Sequence, residues 1–177
     1  MCKLKFADYE RNAIEWVSGD SSNVAQWRYG TASDDVVYHQ IFRQTQEAWT
    51  EISDQTEFGN WYWATTSQGG YSYQNGQDSV VRAQFINSGS LANTQDTNYR
   101  AISNSWPVFA HAFDLGSVGT SSVSRVFSIG LCQDEPIQYT TSSGVVPQTS
   151  LYLDYFDTQL DAVCCKNITS WYRFLAN

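Results

Sequence analysis

His39 and His111, four cysteines and eighteen carboxylates are the side chains from which chemistry would have to be built. A serine or cysteine nucleophile needs one of those imidazoles within hydrogen-bond reach and a third group to orient it. Serines are plentiful, but no Gly-x-Ser-x-Gly turn is present to expose one. Nor do the histidines stand at the His-Glu-x-x-His spacing of a zinc hydrolase. Both lie in stretches that read as strands, so packed structural histidines are the expectation. Asp34 with Asp35, and Asp134 with Glu135, are adjacent carboxylates at loop edges. On a strand such neighbours point to opposite faces, whereas glycoside hydrolysis needs two carboxylates facing each other about 5–10 Å apart. Solvated loop acids are therefore expected. Asp157 and Asp161, four residues apart, read as like charges on the outer face of a helix.

Asn93, Asp96 and Asn98 could offer oxygens to calcium, but the glycine and glutamate of an EF-hand loop are missing. Asx residues also build turns by bonding their own backbone, which is the expectation here. Arg100 is placed to pair with Asp96 and fix that loop. Trp61, Tyr62 and Trp63 raise a sugar-binding reading, with Tyr71 as a further suspect. Alternation puts Trp61 and Trp63 on one side and Tyr62 on the other, and one side of such a strand must be core. Cys2, Cys132, Cys164 and Cys165 follow no metal-finger spacing. Buried free thiols are expected, with one disulfide involving Cys132 as the alternative. Asn167-Ile168-Thr169 is a glycosylation sequon. No residue is assigned a catalytic role, and no metal or cofactor is expected.

The elements that must position these residues read as mainly β. Aromatic residues make up 15% of the 177-residue chain, with seven Trp and eleven Tyr, and such residues favour strands. The net charge of −8 argues against nucleic acid and anionic membranes. No apolar run reaches the roughly 18 residues of a membrane helix. The start, MCKLKFADYER, lacks the apolar core of a signal peptide. Period-two alternation predicts strands over Trp61–Thr65, Val80–Asn87 and Arg125–Leu131. Val36–Arg43 and Val108–Leu115 are apolar on both faces, as in strands covered on two sides. Asn75-Gly76 predicts a type I′ hairpin. Near the end, Tyr152, Phe156, Leu160 and Val163 recur at helical spacing, predicting one amphipathic helix begun by Thr149 or Ser150. The fold expected is an antiparallel β-sandwich with a C-terminal amphipathic helix.

Several blocks carry a resemblance in the same order: EWVSGD (from Glu15), DDVVYH (from Asp34), VVRAQFINSGSLANTQDTNYRAI (from Val80), WPVFAHAFDLGSVG (from Trp106) and IGLCQDEPIQY (from Ile129). Together they resemble the N-terminal β-rich domain of secreted fungal glutaminases of the glutaminase A type, from about Ile14 to Leu160. The resemblance implies a sandwich followed by a separate helical domain that carries the deamidation of L-glutamine to glutamate, and an extracellular setting. It divides the chain into a non-matching extension (1–13), the sandwich (14–148) and a C-terminal helix and tail (149–177) leading toward an absent helical catalytic domain. A chain so cut would leave a sheet edge open to self-association. The function expected is a non-catalytic scaffold for that helical partner; the alternative is a stand-alone lectin-like or interaction protein, with Trp61, Trp63 and Tyr71 as its surface.

Overall fold

The computed structural model describes residues 4–9, 23–32, 35–52, 55–120 and 122–163. Two strands are buried along nearly their whole length and organise the rest. Strand β3 (Val36–Arg43) lies at the centre of a five-stranded sheet, and β9 (Pro107–Asp114) at the centre of a three-stranded one. Their apolar, two-faced sequences are what a strand covered on both sides requires. Around β3 run β2 (Val24–Thr31) and β6 (Asn60–Thr66), both antiparallel to it. The two-residue β8 (Arg100–Ala101) closes one edge beyond β2, and β10 (Phe127–Cys132) the other beyond β6. Strand β9 pairs with β1 (Leu4–Tyr9) and β7 (Tyr71–Gln77), again antiparallel. The short pair β4 (Glu51–Ile52) and β5 (Gln55–Thr56) stands apart, as does the hairpin of β11 (Ile137–Thr141) and β12 (Gly144–Gln148).

The two larger sheets face each other. Trp27, Ile41 and Ala25 from the five-stranded sheet meet Phe109 from the other, with Trp61, Trp63 and Leu131 packed around them. Each sheet is then covered on its outer side. Helix α1 (Asp78–Ser88) lays Val81 and Phe85 over Val108, Ala110 and Ala112. The C-terminal segment sets Tyr152, Leu160 and Val163 against Tyr38, Tyr62 and Ala64. The expected mainly β, antiparallel architecture is what is found.

Three expectations are corrected. Val80–Asn87 is helix rather than strand. Val81 and Phe85 stand four apart, a spacing that suits both periods, and only the exposure of Ala83 between them reveals a helix. Gly89 ends it with φ of 68° and an N–H bonded to the Phe85 carbonyl at 2.8 Å, a left-handed cap. Asn75-Gly76 makes no hairpin, because both residues lie within β7, opposite Phe109 and Val108 of β9. Asn75 is buried and its amide oxygen accepts from the Asp96 N–H at 2.9 Å, so its polarity is spent on docking a loop. The C-terminal helix is also broken, into a 3-10 turn (Leu151–Asp154) and the short α2 (Gln159–Val163). Thr158 accepts from the Asp161 N–H at 3.1 Å and starts α2 afresh. Ser150, the expected cap, donates instead to the Gln133 carbonyl.

Candidate functional site

The two histidines meet between the sheets. His39 faces inward from β3 and His111 from β9; both are fully buried, with ring centroids 4.6 Å apart. His111 Nε2 lies 3.2 Å from the Trp63 carbonyl, which can only accept, so that nitrogen carries the proton. In the neutral ring Nδ1 is then an acceptor, and the Tyr71 hydroxyl donates to it at 2.7 Å. By the same reasoning His39 donates through Nε2 to the Ala110 carbonyl at 3.1 Å. Burial pushes His111 down to about 4, against the opposing pull of the Trp63 carbonyl. Burial likewise holds His39 well below its ordinary value, with the neighbouring His111 adding to the effect. Burial also raises Tyr71, reinforced by its hydrogen bond with Tyr29. Stacked Tyr29 and Tyr73, 3.4 Å between centroids, close one side of the cluster. Both histidines are thus packed between the sheets, each bonded through Nε2 to a main-chain carbonyl.

The loop after α1 is fixed as expected. Arg100 Nη1 donates to the Asp96 carboxylate and to the Asn98 carbonyl, each at 2.6 Å. Asp96 also caps its own turn by accepting from the Asn98 N–H at 2.8 Å, and Asn93 accepts from the Tyr73 N–H at 3.0 Å. Asp96 thus builds a local turn, and Asn93 docks the loop onto β7. Trp27 ties the loop to the core: its indole N–H donates to the Asp96 carbonyl at 2.7 Å, with the Arg100 guanidinium 5.3 Å above its ring. Among the described residues no three His, Cys, Asp or Glu side chains converge as a metal ion would require.

Trp61 and Trp63 project from β6 into the inter-sheet layer, half-buried, and Trp63 stacks on Phe127 at 5.1 Å. Tyr71 is likewise half-buried and held by His111. The three suspected sugar-surface residues therefore sit within the packing between the sheets. Cys132 is a buried free thiol, raised to about 11 by burial first and the Asp134 carboxylate second. Asp34, Cys2, Cys164, Cys165 and the sequon asparagine Asn167 lie outside the described residues.

A wide recess lies on the other side of the five-stranded sheet. It is a cleft of about 990 Å³, floored by Asn60 and Tyr62 and walled by the loops carrying Trp49 and Asp134 and by the start of α2 at Gln159. The wall with Trp49 hangs on a buried ion pair of Arg43 with Glu57, both side chains fully buried. Breaking such a pair costs about 3–5 kcal/mol. Trp49 holds φ of 59°, a conformation that costs a bulky residue about 1–3 kcal/mol. It is kept there by an indole N–H donated to the Glu135 carbonyl at 2.9 Å. Across the cleft, Gln159 accepts from Asn60 at 2.8 Å and from Tyr62 at 3.3 Å, and donates to Asp134 at 2.8 Å. Tyr152 adds a second donor to Asp134 at 2.7 Å. Asp134 and Glu135 are exposed in the turn between β10 and β11, as expected of loop acids, and Asp134 also accepts from Tyr152 and Gln159 of the C-terminal segment.

Architecture and site together define a β-rich module whose recess is walled by loops far apart in the chain. The chain belongs to the family described as "Domain of unknown function (DUF5127)", which it matches over residues 9–167. It is 50% identical over 156 residues to Glutaminase A of Aspergillus oryzae, a match covering 88% of this chain and 22% of that protein. It is 26% identical over 155 residues to a "Probable glutaminase" of Arthroderma benhamiae, covering 80% of this chain and 18% of that one. The chain thus spans about a fifth of the length of these relatives. No solved structure matches it.

Proposed function

We propose that this chain works as a non-catalytic module of a longer, secreted glutaminase A-like protein, where it supports a helical domain that deamidates L-glutamine. The observation that carries this reading is the extent of the match: half-identical over most of this chain, yet over only 22% of Glutaminase A. The β11–β12 hairpin adds support. Ile137, Tyr139 and Val146 share one of its faces and are 59%, 60% and 43% exposed. An isolated two-stranded hairpin is marginal in water, so this one needs cover. In the chain it immediately precedes the 3-10 turn at Leu151–Asp154. The rest of the parent chain is the cover this reading supplies.

Ammonia release from glutamine tests the assignment directly. The purified chain is expected to release none. Aspergillus oryzae Glutaminase A carrying this chain in place of its matched segment is expected to be active. Turnover by the isolated chain at the chimera's rate would overturn the non-catalytic reading.

A further inference from the structure

We propose that the cleft beside Trp49 binds a neutral saccharide, with the indole face as platform and the Asp134, Glu135 and Asp157 carboxylates as acceptors for sugar hydroxyls. The inference stands whether or not the chain works inside a longer protein. Trp49 is 42% exposed at the cleft although it is large and apolar. Its N–H is already spent on the Glu135 carbonyl, so it offers the cleft a flat ring. That ring is held in place at both ends, by the indole bond and by a loop tied through the buried Arg43–Glu57 pair. A preorganised aromatic surface needs little ordering on binding.

The polar side chains of the cleft divide by what they have left to give. The amide oxygen of Gln159 already accepts from two donors, and its amide N–H reaches Asp134. Gln133 and Gln46 are likewise committed, to the Phe58 and Arg43 carbonyls. The carboxylates retain acceptor capacity, since each oxygen has two lone pairs and only one oxygen of Asp134 is engaged. The recess is therefore rich in acceptors beside an apolar plane. A pyranose ring supplies the complement: hydroxyl donors around its edge and a face of C–H groups. With three carboxylates and one arginine, Arg28, among its lining residues, the cleft is net negative and disfavours anionic ligands such as uronic acids and phosphates. Arg28 in turn opposes an organic cation.

Isothermal titration of the purified chain with cellopentaose, xylopentaose, mannopentaose and maltopentaose tests the site, with oligogalacturonate and spermidine alongside. Saturable binding of at least one neutral oligosaccharide is expected, and none of oligogalacturonate. Trp49→Ala should weaken that binding about tenfold or more, and Trp49→Phe should keep it within about threefold. Asp157→Ala, an exposed change that leaves the Trp49 loop untouched, should weaken it as well and decides the matter if Trp49→Ala fails to fold. Silence from all four neutral sugars, binding of spermidine alone, or sugar binding unaffected by the substitutions would each overturn the proposal.

Discussion

At the scale of single residues the inter-sheet layer is tuned to neutrality. His39 and His111 donate through Nε2 to main-chain carbonyls, and burial disfavours a second proton on either ring. The consequence for pH follows from linkage. The unfolded chain binds a proton on His111 near the ordinary value of about 6.5, the folded chain only near 4. Between those values the unfolded state holds more protons, so stability falls as pH falls. It is complete above about 6.5, and by about pH 4 His111 alone should have removed roughly 3 kcal/mol. His39 acts in the same direction. Urea midpoints measured between pH 7 and pH 4 should decline, and His111→Asn should flatten that slope. An unchanged slope in the variant would show that other groups drive the acid response.

At the scale of elements, what could be read from sequence followed from period. Trp61, Trp63 and Thr65 alternate against Tyr62 and Ala64, and β6 presents those two sets to opposite faces. Val36–Arg43 and Val108–Leu115 carry apolar residues on both faces, and their strands are buried along nearly their whole length. Reading failed where one spacing serves two periods. Val81 and Phe85 satisfy strand and helix alike, and the helix is marked locally only by Asp78 in its first turn and Gly89 past its end. The two geometries differ in Ala83, which a strand would bury with Val81 and which α1 exposes. Val81→Ala should therefore cost about 2 kcal/mol, while Ala83→Glu should stay within about 0.5 kcal/mol. Thermal melts of the two variants check this. The Asp96–Arg100 pair was legible because its partners are four residues apart. The cleft was not, because Trp49, Asp134 and Gln159 come from segments distant in sequence that only the tertiary fold brings together.

At the scale of the whole molecule, apolar surface is unevenly distributed. Ile137, Tyr139 and Val146 are exposed together on one face of the β11–β12 hairpin. Patches of this kind mark contact surfaces. In isolation the chain is expected to self-associate through this face, giving a light-scattering mass that rises with concentration. Tyr139→Ser with Ile137→Ser should return it to a monomer without moving the melting temperature, since neither side chain supports the core. A wild-type chain that stays monomeric at high concentration would count against the patch.

Strand β9 is late in the chain, yet both β1 and β7 depend on it for their pairing. The β2–β3–β6 meander can zip as it is made, from neighbours close in sequence. The three-stranded sheet has no counterpart step, since β1 must wait for a partner about a hundred positions downstream. Long-range closures of this kind slow folding. During synthesis the inner face of the first sheet, with Trp27 and Ile41 at its centre, stays uncovered until Phe109 has emerged. The interval before β9 leaves the ribosome is thus the period in which this chain most needs a chaperone.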